Sequence, residues 1–429
     1  MIDPLEERIT LTASSFGFKV INNDLYFEVR GDRYSSDTIT AYTDISGDST
    51  IRVQNGLGDA TYSVSAGWVG LAQLQTGATY KGLLIRGLAG DDLIDASQLT
   101  GDRAKIMGDH GHDVIIGSPN ADELVGGKGN DSIFGGAGND TIRDSDHNNT
   151  LDGGPGADKI IGGSGKDLII ADADDTFLRG GDNKDRIEFE GSAAEVDFVN
   201  FDFESVVGSA HDDVIDNSKF AGPGGVKVFA RAGDDTIVSS KAGDLIDGQA
   251  GEDAVSYQGS GVGVKVNLQV AVQNSPGSDA DGDELRSIEN VIGSDHNDQI
   301  TGDDNGNMIQ GRGGDDFIEG RGGDDRLFGG QGSDQLFGDM GNDVLNGGLD
   351  PDRLFGGLGE DTIIVDWANL NDLQLFGFGE ADTYRYRNVI VNGVIDVTRV
   401  DAIDAYLNNL GDDNQSDFDE GVDLTEYFD

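Results

Sequence analysis

The chain is 429 residues long, with 67 glycines, 6 prolines and no cysteine, and its 81 acidic side chains against 29 basic ones leave a net charge of −52. That charge excludes nucleic acid as a partner, and the absence of cysteine excludes disulfides and thiolate metal sites. Such acidity ordinarily points to disorder, but the 36% hydrophobic fraction is metered at one or two apolar residues in nine, so order is expected wherever cations screen the charge.

Met1 to Arg8 (Met1-Ile2-Asp3-Pro4-Leu5-Glu6-Glu7-Arg8) has neither the basic n-region nor the apolar run of a signal peptide. No apolar stretch approaches a membrane span. An export signal would then be C-terminal, or a leader would have been removed. Residues 1–86 carry no repeat and read as an N-terminal β cap domain. Ile9-Thr10-Leu11-Thr12, Leu25-Tyr26-Phe27-Glu28-Val29 and Thr38-Ile39-Thr40-Ala41-Tyr42 have strand character, separated by turn clusters at Asn22-Asn23-Asp24 and Ser46-Gly47-Asp48. A cap is expected because an open solenoid end exposes strand edges and an apolar face.

From Gly87 a nonapeptide register begins, G-G-x-G-x-D-x-U-x, with U a large aliphatic residue. Unbroken copies are Gly126-Gly127-Lys128-Gly129-Asn130-Asp131-Ser132-Ile133-Phe134 and Gly135-Gly136-Ala137-Gly138-Asn139-Asp140-Thr141-Ile142-Arg143. Glycines permit tight turns, Asp carboxylates and turn carbonyls offer the hard oxygens that calcium prefers, and U points into a stack. The repeats fall into arrays at 87–188, 208–256 and 293–364, separated by spacers at 189–207 and 257–292. Two longer repeats mark the re-entries. Ile94 to Asp113 parallels Ile215 to Asp235, and Glu204-Ser205-Val206-Val207-Gly208-Ser209 parallels Glu289-Asn290-Val291-Ile292-Gly293-Ser294. The register lapses at Asn149, Thr176 and Asn307, yet U stays aliphatic there as Leu151, Leu178 and Ile309. An apolar seam is therefore expected to run on where calcium occupancy is interrupted. Residues 365–429 read as a small mixed C-terminal cap and acidic tail. Strands are expected from Trp367 to Ile395, helical spacing over Val400–Leu407, and an acidic stretch from Asp412 to Asp429.

These nonapeptides resemble the RTX, or haemolysin-type, calcium-binding repeat family over about 220 residues. The resemblance implies an all-β fold, a right-handed parallel β-roll or β-helix solenoid with two nonapeptides per turn, and multiple Ca2+ ions between neighbouring loops. Carried onto this sequence, the carboxylate ligands would be Asp92, Asp113, Asp122, Asp131, Asp140, Asp158, Asp167 and Asp185 in the first array. Asp213, Asp235, Asp244 and Asp253 follow in the second, and Asp298, Asp316, Asp325, Asp334, Asp343, Asp352 and Asp361 in the third. The loops Gly117-Ser118-Pro119-Asn120-Ala121-Asp122 and Ser239-Ser240-Lys241-Ala242-Gly243-Asp244 lack repeat glycines, which makes their turns less free.

Other signals are weaker. His110 and His112 could be imagined as a transition-metal pair, but the bland reading is loop filler. Gly162-Gly163-Ser164-Gly165-Lys166-Asp167 lacks the Ser or Thr after Lys that a phosphate loop needs. Neither G-x-S-x-G nor H-E-x-x-H occurs. Asp417 to Glu426 resembles a degenerate EF-hand loop, with a C-terminal secretion signal as its rival. The expectation is a non-enzymatic, secreted or cell-surface calcium-binding protein that folds on extracellular calcium, in a structural or adhesive role. Its partner would be a cell-surface component, a polysaccharide or further copies of itself. The alternative is the RTX scaffold of a secreted hydrolase or polysaccharide-modifying enzyme.

Overall fold

The computed structural model describes residues 16–21, 24–30, 38–43, 49–55, 58–64, 79–175, 177–191, 195–197, 203–218, 224–366, 374–376, 383–387, 390–391 and 394–395. The strand expected at Ile9–Thr12, the helical spacing of 400–407 and the acidic stretch 412–429 lie outside them, as does Thr176. All regular structure among the described residues is strand, and no helix there is long and apolar enough to cross a membrane. The chain divides into two compact units, Met1–Glu195 with Val199–Ala210, and Val196–Phe198 with His211–Asp429.

In the first unit each nonapeptide contributes one short strand, and successive nonapeptides alternate between two parallel sheets. Ser132–Phe134 therefore pairs with Thr150–Asp152, while Thr141–Arg143 pairs with Lys159–Ser164 in the other sheet. The partners lie 18 residues apart, one full turn. Because each U faces inward, Ile115, Ile133, Leu151, Ile169 and Ile187 stack in one sheet and Ile106, Leu124, Ile142 and Ile160 in the other, all fully buried. Each such burial contributes roughly 1.5–3 kcal/mol. The first rung is Thr79–Ala89, paired with Ala104–His110. Antiparallel strands continue both sheets at this end. A hairpin of Phe16–Ile21 and Asp24–Arg30 joins one through Thr79–Ala89, and a meander of Thr38–Thr43, Ser49–Asn55 and Gly58–Val64 joins the other through Leu93–Gln98.

The second unit repeats the plan. Met308–Gly313, Arg326–Gln331, Val344–Leu349 and Thr362–Asp366 form one parallel run, and Gln299–Thr301, Phe317–Gly322, Gln335–Met340 and Arg353–Leu358 form another. Outward of U, Phe337 and Phe355 stack with ring centroids 4.5 Å apart and 3° between planes. Gln374–Phe376 and Thr383–Arg387 add further parallel strands, and Ile390–Val391 pairs antiparallel with Val394–Ile395.

The segments read as spacers add rungs of their own. Ser205–Val207 pairs with Arg186–Phe189, setting Val206 on Ile187. Glu284–Arg286 pairs with Leu245–Ala250, and Asn290–Ile292 with Ala254–Ser256. These rungs lack the glycine-rich approach that marks a repeat, but they keep the inward aliphatic (Val206, Leu285 and Val291, all buried), which is all that a parallel rung requires. The aliphatic seam also runs through the lapses: Leu151, Leu178 and Ile309 are at most 2% exposed.

Candidate metal centres

Each regular repeat loop ends in an Asp two residues before the inward aliphatic, so the stacked seam carries these carboxylates into a row. All of the candidate ligands named above are buried, none more than 4% exposed. One oxygen of each carboxylate serves the backbone. The Asp122 N–H donates to Asp140 Oδ1 at 2.7 Å and the Asp140 N–H to Asp158 Oδ1 at 2.6 Å. In the second unit the N–H groups of Asp316, Asp325 and Asp343 donate to Oδ1 of Asp334, Asp343 and Asp361 at 2.8–2.9 Å. The second oxygen is different. Oδ2 of Asp113, Asp131, Asp140, Asp167, Asp235, Asp253, Asp316, Asp325, Asp334 and Asp343 is buried without a hydrogen-bond partner.

The first glycine of the repeat exists for that oxygen. A Cβ on Gly311 would overlap Asp316 Oδ2 and lie 2.7 Å from the carbonyl oxygen of Gly329 one turn on, and Gly329, Gly338 and Gly108 are equivalent. The second glycine is needed less. Its positive φ is also adopted by Leu88, Asp109, Arg312, Arg321 and Asp339, at the modest cost of a left-handed non-glycine residue. So the sequence varies at the second position and seldom at the first.

Such an arrangement holds charge badly by itself. Burial pushes the Asp140, Asp316 and Asp325 carboxyls up to about 8, and those of Asp235 and Asp343 to about 7. The N–H bonds they accept oppose this, and carboxylates on neighbouring turns add to it. Asp113, Asp158 and Asp334 rise to about 6, again chiefly by burial. A cation beside the row would balance its charge. A buried carboxylate oxygen and a glycine carbonyl facing one point, as beside Gly108, Gly311, Gly329 and Gly338, are hard donors of the kind calcium takes in six- to eightfold shells. Among the described residues no three His, Cys, Asp or Glu side chains gather as a metal cluster; the carbonyls beside the open oxygens are the further donors present. The residues present fit calcium and offer nothing soft for zinc or copper.

The family model for the RTX calcium-binding nonapeptide repeat matches residues 106–142, 144–178, 229–257, 301–336 and 337–369. The chain carries RTX calcium-binding nonapeptide repeats between residues 106 and 369. No curated protein matches it. Asp92, Asp185, Asp213 and Asp298 lie outside the matched RTX segments, yet Asp92, Asp185 and Asp213 join the same ladder. The Asp92 N–H donates to Asp113 Oδ1, the Asp167 N–H to Asp185 Oδ1 and the Asp213 N–H to Asp235 Oδ1.

In three loops the Asp keeps no open oxygen, although burial still raises its carboxyl. Asp122 accepts the Ala104 N–H at Oδ1, the Ser118 N–H at Oδ2 and the Ser118 hydroxyl at Oδ1. Asp244 does the same with Val226 and Ser240, and Asp298 with Val264 and Ser294. In each, serine replaces the second repeat glycine; its backbone N–H occupies the oxygen left open elsewhere, and its hydroxyl adds a bond to Oδ1.

Several ladder members escape the nonapeptide reading. Asp175 Oδ1 accepts the Asp158 N–H at 2.8 Å, one residue ahead of Thr176, and its Oδ2 accepts the Asp172 N–H. Glu204 Oε2 accepts from Asp185, Glu289 Oε2 from Asp253, and Asp283 Oδ1 from Asp244. Glu204 and Glu289 were visible as equivalent positions of the longer repeat, but with no structural task attached. Asp283 also accepts the Tyr257 and Ser239 hydroxyls at 3.0 and 2.9 Å in a buried polar knot.

A second, exposed ladder explains the residue before the Asp. Asn130 Oδ1 accepts the Asn148 N–H, Asn148 Oδ1 the Lys166 N–H, Asp315 Oδ1 the Ser333 N–H, and Asn342 Oδ1 the Glu360 N–H. His112 belongs to it: its Nδ1 accepts the Asn130 N–H at 2.8 Å, which gives that imidazole a backbone task. Asn149 keeps the inner ladder running, its Oδ1 accepting the Asp131 N–H and its backbone N–H donating to Asp167, whereas Asn307 takes part through its backbone N–H, which donates to Asp325, and spends its Oδ1 on the Asp303 N–H.

Proposed function

We propose that this protein is a secreted or cell-surface module, structural or adhesive in role, whose β-roll folds when calcium enters its turns. The carrying observation is the row of buried carboxylate oxygens without donors, most of which face a backbone carbonyl of the next turn. Asp113, Asp131, Asp140, Asp235, Asp316, Asp325, Asp334 and Asp343 would hold the ions together with turn carbonyls. Bound calcium supplies the positive charge that this row and the net charge of −52 require. Because the unfolded chain has no preformed site, binding free energy appears as folding free energy. Low calcium then leaves the chain expanded, and roughly millimolar calcium, the range of extracellular modules, folds it.

An adhesive role is supported by one face of the first unit. Three consecutive strands of one sheet, Thr141–Arg143, Lys159–Ser164 and Phe177–Asp182, present the exposed cations Arg143, Lys159 and Arg179, and Glu123, the outward acid on the preceding strand, is paired with Lys105. Strands about 4.8 Å apart would set these cations against an anionic polysaccharide. The role proposed is binding and support rather than catalysis.

The test is far-ultraviolet circular dichroism of the full chain with chelator and then with millimolar calcium, beside turnover assays on polysaccharide and ester substrates. Coil that converts to β structure, without turnover, is the expected result. A β signal indifferent to chelator would overturn calcium-driven folding, and substrate turnover would overturn the non-catalytic role.

A further inference from the structure

In the first array the loop that lacks the repeat's Asp, Asp144-Ser145-Asp146-His147-Asn148-Asn149, carries an aspartate where the repeat has its first glycine. The structure shows where that carboxylate goes. Beside Gly108 and Gly311 the space of a missing Cβ is bounded by an Asp Oδ2 and by a glycine carbonyl from one turn on. Beside Gly126 it is bounded by two carboxylate oxygens, Asp131 Oδ2 and Asp144 Oδ2. Asp131 is 2% exposed and its Oδ2 has no hydrogen-bond partner. Asp144 is 7% exposed. Its Oδ1 accepts the Ser145 N–H at 2.6 Å and the Asp146 N–H at 3.3 Å, which fixes the side chain, and its Oδ2 accepts only the Gly127 N–H, at 3.2 Å.

At regular turns the second carboxylate comes from the Asp one turn on, so that Asp140 lies in the field of Asp122 and Asp158, and Asp316 in that of Asp298 and Asp334. The residue one turn on from Asp131 is Asn149. It still accepts the Asp131 N–H, at 2.9 Å, but its Nδ2 turns to carbonyls of its own loop. The loop has kept its carboxylate and moved it from the sixth position to the first. We propose that Asp131 and Asp144 form a divalent-cation site of their own, calcium being the cation, at the turn where the nonapeptide register predicts a gap. This rests on the calcium reading above and departs from it in the ligand: Asp144 binds from a position that the repeat reserves for glycine. The lapse at Asn307 is the internal contrast. Its loop begins with Gly302, and Asn307 Oδ1 occupies the space beside that glycine and accepts the Asp303 N–H, so no relocated carboxylate faces it.

The experiment counts calcium ions on the full chain, ion by ion, by native mass spectrometry, and follows folding by circular dichroism. Asp144→Gly, which restores the repeat glycine, should lower the ion count by one at saturation. Asp144→Gly with Asn149→Asp should restore it by rebuilding the regular turn. Asp144→Asn retains an acceptor for the Ser145 N–H and keeps the fold testable if the glycine variant unfolds; it too should lose one ion with an unchanged spectrum. An unchanged count in both single variants overturns the proposal, as does failure of Asn149→Asp to rescue a folded Asp144→Gly protein. A parent chain that binds no calcium would instead bring down the wider calcium reading.

Discussion

Asp325→Asn and Asp298→Asn should respond to calcium with opposite patterns, because the two carboxylates are satisfied differently. Asp325 is fully buried and its Oδ1 accepts the Asn307 N–H at 2.7 Å, while Oδ2 has no donor. Replacing Oδ2 by a neutral amide removes the cost of burying that charge, or of holding the carboxyl protonated instead, which in a protein interior is several kcal/mol. In chelator, Asp325→Asn should therefore stabilise the roll. At calcium a hundredfold above the dissociation constant, loss of one bound ion forfeits about 2.7 kcal/mol, so the same variant should be destabilised there. Asp298 has no such open oxygen. It accepts the Val264 N–H at 2.7 Å, the Ser294 N–H at 2.6 Å and the Ser294 hydroxyl at 2.7 Å. Asp298→Asn misplaces at least one of those bonds and should cost about 1–3 kcal/mol in either condition. Thermal melts of both variants in chelator and across a calcium titration make the comparison. If Asp325→Asn destabilises equally with and without calcium, its open oxygen is not an ion ligand and the division of loops into open and serine-closed is wrong.

Three further outcomes follow from the same geometry. In chelator, the carboxyls that burial raises to about 8 (Asp140, Asp316 and Asp325) bind protons in the folded state that the unfolded chain releases above about 4. Stability without calcium should thus be fullest near pH 4 and fall as pH rises toward 8, whereas with calcium, which competes with those protons, it should fall on acidification; melting temperature against pH in the two buffers reads both slopes. Leu178→Ala, at a rung 2% exposed and paired with Ile160, should lower stability by ~2–5 kcal/mol with no change in the number of bound ions by calorimetry. Asn307→Asp should raise the calcium count by one, since a carboxylate would then stand beside Gly302; a constant count would show that this loop closes without an ion whatever its sixth residue.

The solenoid was legible because its two determinants are periodic in sequence: an inward aliphatic every nine residues, and a small residue where the chain must turn. Leu151, Leu178 and Ile309 announced the continuity of the seam even where the Asp failed. What the period could not show is atomic. A register counts residues, whereas the ladder needs an oxygen at one point in space. A Glu reaches that point from a different backbone position, as Glu204 and Glu289 do, and Asp175 reaches it from one residue early. Serine at the second glycine position, in Ser118, Ser240 and Ser294, reads in sequence as a degraded loop. In the structure its two donors close the carboxylate. Nothing in the period assigns a task to the asparagines before the Asp, although Asn130, Asn148 and Asn342 each accept the next turn's N–H.

These exceptions separate two demands that the repeat fuses. One is an acceptor for a buried backbone N–H at every rung, since leaving that donor unmet costs about 1–3 kcal/mol. Asp, Asn and Glu all meet it, so the ladder crosses Asn149 and turns through Glu204 and Glu289 without a break. The other is a second oxygen left open toward a glycine carbonyl, which is stable only with a cation. Asp at an open loop meets both demands. Asp beside serine meets the first and gives up the second, and Asn149 meets the first while Asp144 takes over the second. The roll can therefore be continuous while its ions are not, and substitutions at the sixth position of a repeat should be judged by which of the two oxygens they disturb.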